Sequence, residues 1–263
     1  MKYYNIILFV FLIFSATSCI STKKLTYLQE NQEEIDSLIA VQRVQQTYRL
    51  QVNDLLSIRV KALDQELVGI FNPIDNNNPN ATGEEKLYYD GFRVDPHGNI
   101  RIPTLGEMNV LGFTVEEVRK KIEAKLLEEY FREEANIFVT VKLAGIRYTT
   151  IGEVGSGSQV IYKDEVSIME AIANAGDITT LGDRTDVMIL RQYPGGHKVH
   201  HIDLTNIDAV KSPYYYIQPN DLIMVKPLPQ KSWGVGETGL ETFTTIASIV
   251  SLFGTLIILS QRL

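Results

Sequence analysis

Cys19 is the only cysteine in 263 residues and stands at the end of a short apolar segment; no other feature limits the fold as strongly. With one cysteine the chain can form no internal disulfide and no cysteine-based metal site, so its stability must come from buried apolar side chains. Lys2 gives a weakly positive start, Ile6 to Phe14 is unbroken apolar sequence (IILFVFLIF), and Ser15, Ala16, Thr17 and Ser18 lead into the cysteine. A short apolar core ending in small residues is a secretory signal peptide over residues 1–18, too short to span a membrane as a mature helix.

A cysteine directly after such a stretch resembles a lipobox, in which the cysteine thiol receives diacylglycerol and becomes the mature N-terminus. Ala16 stands where leucine is usual. Acylation of Cys19 also removes the liability of a free thiol in an oxidising compartment. Loss of residues 1–18 removes Lys2 and leaves 24 Lys and Arg against 32 Asp and Glu, a mature net charge of −8. That balance argues against nucleic acid, which needs a basic footprint, as a partner, and is neutral about a glycan. Residues 19–46 are polar and charged, without Gly or Pro, and read as a tether.

From Tyr48 the pattern becomes that of folded protein. Leu56, Ile58, Val60 and Ala62 alternate with polar residues as in a half-buried strand. Asn72 to Glu85 is Asn- and Pro-rich and reads as an exposed loop, with a weak glycosylation signal at Asn80. Phe92 and Val94, then Pro96-His97-Gly98-Asn99, then Ile100 and Ile102 predict a hairpin, with His97 at its solvated turn. Thr114 and Glu117 form a capping box ahead of apolar residues at Val115, Val118, Ile122, Leu126 and Tyr130, which predicts a helix with a charged outer face. Ile137, Val139, Val141 and Leu143 close this first unit as a strand.

A second unit repeats the logic. Tyr148 to Val154 reads as a strand leading to a flexible Gly155-Ser156-Gly157-Ser158, and Ser167 with Glu170 opens a short helix stopped by Gly176. Val187–Arg191, Val199–Leu204 and Leu222–Val225 read as strands, turned at Gly195-Gly196 and Pro219-Asn220-Asp221, with Pro227 and Pro229 ending the last. His197, His200 and His201 lie on or beside a strand, where adjacent side chains point to opposite faces, and are taken as sheet residues rather than metal ligands. There is no phosphate-binding glycine loop, nucleophile elbow or metalloprotease helix, and no carboxylate pair is singled out. No catalytic residue, cofactor or metal ligand is assigned, and the chain reads as a non-enzyme.

Two blocks carry a family resemblance. The run Tyr48-Arg-Leu-Gln-Val-Asn-Asp54, then Val94-Asp-Pro-His-Gly98-Asn-Ile-Arg-Ile-Pro103-Thr-Leu-Gly106, then Val110-Leu-Gly112-Phe-Thr114 and its helix resemble the outer-membrane polysaccharide export proteins of the Wza type. Ile151-Gly-Glu-Val154, Ser167 to Gly176 and Tyr216-Ile-Gln-Pro-Asn-Asp-Leu222 are similar to a SLBB domain, a β-grasp-like, glycan-associated module. Ser156-Gly157 stands for a usual Pro-Gly, and Asp177 for a second glycine. The resemblance implies an α+β chain: a polysaccharide export domain over 47–144 and a SLBB domain over 145–229, both small and periplasmic. A linker over 230–240 and a C-terminal amphipathic transmembrane helix over 241–263 would follow. It also implies an outer-membrane, lipid-anchored location and a ring-shaped homo-oligomer passing capsular or exopolysaccharide. An inner-membrane polysaccharide co-polymerase, often with a tyrosine kinase, is the implied partner. Family members commonly carry more than one SLBB domain; this chain has room for one.

The tail sharpens the expectation. Phe243 to Leu259 is an apolar stretch of 17 residues, about 26 Å long as a helix. Thr244, Ser248, Ser251 and Thr255 fall on one helical face, with Glu241 one turn earlier, and these five are the candidate pore-lining residues. A single-span anchor needs no polar stripe. A small-residue packing seam and an amphipathic barrel helix both account for one; the sequence alone leaves these two even, and the resemblance favours the barrel. Rival functions are a glycan-binding or structural envelope lipoprotein, and an accessory of the inner-membrane polymerase complex, neither with a pore of its own.

Overall fold

The computed structural model describes residues 22–30, 47–62, 68–72, 88–131 and 136–232, with 244, 247–248, 251–252 and 254–255 beyond them. Cys19, Asn80 and Glu241, and most of the expected tether, of the Asn-rich loop and of the tail, lie outside these residues. Among the described residues no helix is long and apolar enough to cross a membrane.

The first hydrophobic cluster forms around β1 (Leu55–Lys61), whose alternation buries Leu56, Ile58 and Val60. Two strands flank it, β2 (Phe92–Arg93) and β5 (Phe138–Leu143), both antiparallel, with Ile58 opposite Val141 and Val60 opposite Val139. On its far side β1 would expose the backbone of Val60. Asn72 closes that edge: its side-chain carbonyl accepts from Val60 N at 2.8 Å and its amide donates to Val60 O at 2.7 Å.

The hairpin expected across Pro96–Asn99 pairs differently. The turn forms, with Gly98 N donating to Asp95 O at 2.9 Å, but β2 joins β1. The strand after the turn, β3 (Asn99–Ile102), pairs instead with β4 (Gly106–Asn109). Two turn signals follow each other here, and the second, around Pro103-Thr104-Leu105, makes the hairpin. Gly98 sits at φ +83°, where a Cβ would lie 2.5 Å from Leu111 Cβ, so only glycine fits.

Helix α1 (Val115–Glu129) begins as its sequence predicts. Thr114 Oγ1 accepts from Glu117 N at 3.2 Å and Glu117 Oε2 from Thr114 N at 2.7 Å, a complete capping box. Val118, Ile122 and Leu126, four residues apart, are fully buried on the cluster. The charged face is more than a solvated surface: Lys121 Nζ donates to Asn109 O at 2.8 Å and Lys125 Nζ to Leu105 O at 2.7 Å. The helix thereby satisfies carbonyls of the β3–β4 hairpin.

The second cluster lies on a five-stranded mixed sheet of order β7-β6-β10-β8-β9. Its strands are β6 (Ile146–Gly152), β7 (Gly157–Ile161), β8 (Gly182–Tyr193), β9 (Gly196–Ile202) and β10 (Asp221–Pro227). The last strand inserts at the centre, parallel to β6 and antiparallel to β8. The stretch expected to be a flexible glycine-serine linker is the turn into edge strand β7, paired antiparallel with β6. Helix α2 (Ile168–Ala175) covers one face with Ile168, Ala171 and Ile172, is N-capped by Ser167 and ends at Gly176 in the left-handed region. The reciprocal arm expected of a capping box is engaged elsewhere: Glu170 pairs with Lys163. Buried Tyr148 ties β6 to α2, donating to Ala171 O at 2.8 Å.

Residues 22–30 depart from a free tether. They pack on the second cluster through Tyr27 and Leu28. Leu28 N donates to Leu204 O at 3.0 Å and Gln29 N to Thr205 O at 2.7 Å. The second body is thus built from two separated pieces of chain, with the first body between them. At its other end, Pro229–Ser232 forms a single helical turn.

Because α1 is pinned by three side chains with no exposure, Ile122→Ala is expected to cost about 2–5 kcal/mol. A lowered urea midpoint of the detergent-solubilised chain, followed by circular dichroism, checks this; a change under about 1 kcal/mol would mean the helix is not packed as described.

Candidate functional site

The two bodies meet where β5 runs into β6 through Ala144 and Gly145, and polar side chains are buried on both sides of this junction. On the first body, Asp54 is 3% exposed, and one of its oxygens, Oδ2, accepts from Tyr48 Oη at 2.7 Å and from Gln51 N at 2.8 Å. Burial pushes the Asp54 carboxyl up to about 6, against the two hydrogen bonds. Burial, and then the Asp54 charge, raise the Tyr48 phenol well above its ordinary value, so it stays a donor.

On the second body, Arg191 of β8 grips Asp221 at the start of β10. Arg191 Nη2 donates to Asp221 Oδ2 at 2.7 Å and Nε to Oδ1 at 3.0 Å, with the two side chains 4% and 0% exposed. Nη2 also donates to Tyr216 O at 3.0 Å, and Gln218 N to Asp221 Oδ2 at 2.7 Å. Two backbone groups of the Tyr216–Asp221 turn are thereby drawn onto one ion pair. The bodies are stitched directly, since Gln51 Nε2 donates to Gln192 O at 3.1 Å.

An aromatic wall rises beside the ion pair. His200 stacks on Tyr214 with ring centroids 3.8 Å apart and planes 19° apart, and Tyr193 Oη lies 3.0 Å from His200 Nε2. Burial, then the charge of Arg191, holds His200 below its ordinary value, so it is neutral at pH 7. Adjacent His201 points out to Asp186, and His197 lies at the exposed end of β9. The three histidines do not converge. Among the described residues no cluster of His, Cys, Asp or Glu is arranged to hold a metal ion.

These elements border an open cleft of about 980 Å³ between the bodies, edged by Tyr48, Glu116, Lys163, Arg191, His200 and Tyr214. A smaller one of about 290 Å³ flanks the other side of the junction, edged by Asp54, Tyr88, Arg93, Arg147 and Asn220. Chemically the junction is a fixed, polar hinge block. Both Asp221 oxygens are engaged by donors, and His200 is held by Tyr193 at Nε2 and by its stack on Tyr214. None of this was assigned from sequence. Arg191 and Asp221 are separated by two turns and a strand, and nothing local marks them as partners.

The first body carries the deciding match: residues 42–143 fit the family model of polysaccharide biosynthesis/export proteins. This part of the chain is similar to that family. The family is one of transport, and the match implies a role in polysaccharide export. None of the curated proteins matches the chain. The matched span covers the first body from before Tyr48 to the last residue of β5, so the Asp54–Tyr48 half of the junction lies within it and the Arg191–Asp221 half outside.

The candidate pore-lining residues are placed only in part. Cys19 and Glu241 lie outside the described residues. Thr244, Ser248, Ser251 and Thr255 are helical, and the hydroxyls of Ser248 and Thr255 fold back on their own helix. Ser248 Oγ donates to Thr244 O at 2.8 Å, and Thr255 Oγ1 to Leu252 O at 2.8 Å and Ser251 O at 3.1 Å. A hydroxyl bonded this way needs no water, so solvation alone does not dictate which way the stripe faces.

Asp54 gives a pH signature. Its folded value, about 6, lies above its unfolded value of 3.8, so the native state binds the extra proton between them. Its contribution is therefore fully present below pH 4 and is lost as pH rises through 6, by up to about 3 kcal/mol. Asp54→Asn is expected to flatten this part of the stability profile in urea denaturation between pH 4 and 7. An unchanged slope in that variant would remove Asp54 as its source.

Proposed function

We propose that the chain is an outer-membrane lipoprotein, attached through Cys19, that assembles into a ring through which capsular or exopolysaccharide leaves the cell. The observation that carries this is the export-family match over the first body. Two sequence features support it: the apolar segment ending in the sole cysteine, and the hydroxyl-striped apolar tail. The second body, a single helix on a mixed sheet with a central parallel pair, supports its reading as a glycan-associated SLBB module. Most of the chain would stand in the periplasm, facing an inner-membrane polysaccharide co-polymerase with or without its tyrosine kinase. No catalysis is required: the task is to hold and pass a polymer.

In this reading Glu241, Thr244, Ser248, Ser251 and Thr255 line a water-filled lumen, and Ile249 and Leu256 face lipid or neighbouring helices. The internal hydroxyl bonds favour one alternative, a packed anchor in an envelope lipoprotein with no pore of its own. The two are separable. The mature protein in mild detergent should appear as closed rings by electron microscopy. Cysteines placed at 248, 251 and 255 should react with a bulky impermeant reagent and obstruct export, while those at 249 and 256 stay protected. A strictly monomeric particle in several mild detergents sinks the ring, and uniform protection at all five positions selects the packed anchor.

A further inference from the structure

The two ends of the described body are fastened to the same corner of the second sheet. That corner is the loop Asp177–Gly182 and the first residues of β8. Its keystone is Arg184, 6% exposed, whose guanidinium donates to Ile178 O at 2.7 Å and Thr179 O at 3.1 Å. Against this keystone lies the N-terminal segment. Tyr27 sits under the Arg184 guanidinium, 5.1 Å from ring centre to Cζ, and its hydroxyl donates to Asp177 Oδ1 at 2.5 Å. Beyond Tyr27, Gln29 forms a parallel bridge with Asn206, and Ile207 N donates back to Gln29 O at 3.2 Å. Gln29 also folds the segment on itself, its side-chain amide donating to Lys23 O at 2.6 Å and Thr26 O at 2.8 Å.

The C-terminal exit uses the adjoining residues. Leu228 N donates to Leu181 O at 2.7 Å, and Leu228 is 2% exposed. Lys231 Nζ then meets Glu153 Oε1 at 2.6 Å, while the other Glu153 oxygen accepts from Thr179 Oγ1 at 2.7 Å. One connected set of contacts therefore runs from Tyr27 through Arg184, Thr179 and Glu153 to Lys231.

We propose that the Asp177–Arg184 corner is the membrane-facing end of the second body, and that Thr22–Glu30 is a strap holding it close to the lipid surface. The inference rests on the reading of Cys19 as the acylated residue. From Cys19 to Thr22 are three residue steps, which even fully extended span only about 10–11 Å. With Tyr27 clamped, Thr22 at the start of the strap cannot stand further than that from the diacyl anchor, and the corner is only five residues beyond Thr22. Without the clamp, the same anchor would tether the body only through a longer run of chain. Exposed Lys23 and Lys24 stand on the strap between anchor and clamp, where an anionic headgroup layer attracts them. The partner of this surface is thus a lipid bilayer. The opposite end of the sheet, where Lys198 of β9 pairs with Arg191, is nine residues along β8 from Gly182, or about 30 Å away.

The test uses the full lipidated chain in vesicles containing brominated phospholipid. A fluorophore is attached to a thiol introduced at exposed Thr180, or at exposed Lys198, with Cys19 acylated and unreactive. Quenching at 180 is expected to exceed that at 198 at least threefold. Tyr27→Ala is expected to lower quenching at 180 at least twofold with acylation, measured by palmitate labelling, unchanged. Equal quenching at 180 and 198 in the parent overturns the orientation, whatever the folding of the variant. Quenching at 180 that is indifferent to Tyr27→Ala overturns the strap. Absence of palmitate label from the parent chain instead overturns the lipoprotein reading on which both stand.

Discussion

The Arg191–Asp221 pair is the contact around which the second body is arranged. It lies at the start of the central strand β10, so the register of β10 with β8 and β6, and the turn that delivers it, are set at one point. Such a pair adds little net stability, because removing two charges from water costs several kcal/mol per ion before their attraction is counted. Its effect is on uniqueness. Asp221 accepts from Arg191 and Gln218, and Arg191 donates to Tyr216 O, so a one-residue slip of β10 would strand a buried charge. The same guanidinium faces the Tyr214–His200 stack at 5.9 Å, which carries the constraint into the cleft wall. The first body then docks beside a fixed surface through Gln51, which donates to Gln192 O.

This arrangement gives the chain a polarity. The junction and its clefts lie toward the end of the sheet where Arg191 meets Lys198. Residues 22–30 and 228–231 are fastened toward the end that starts at Gly182, with Arg184 and Glu153 as the posts.

Much of this was legible in the sequence because local and tertiary signals agreed. β1, β5 and α1 follow directly from alternation, four-residue spacing and the Thr114–Glu117 box, since each buries one face on a single core. The errors have physical origins. The hairpin was placed one turn early because Pro96–Asn99 and Pro103–Gly106 are both good turns, and only tertiary pairing chooses between them. Strand β7 escaped notice because it is an edge strand with no fully buried residue, so it carries no periodicity. The strap was read as a tether because two residues, Tyr27 and Leu28, are too few to show a pattern. The junction was invisible because its partners are distant in sequence. The hydroxyl stripe of the tail is plain in the sequence, and two of its hydroxyls, those of Ser248 and Thr255, bond to carbonyls about one turn back.

The central claim is that this chain moves polysaccharide outward, and the most direct measurement is polymer location in cells lacking it. Cells deleted for the gene should lose surface polymer at least tenfold while still making polymer that is recovered only after lysis, with surface display restored by the wild-type chain. Undiminished surface polymer in the deleted cells would contradict the account.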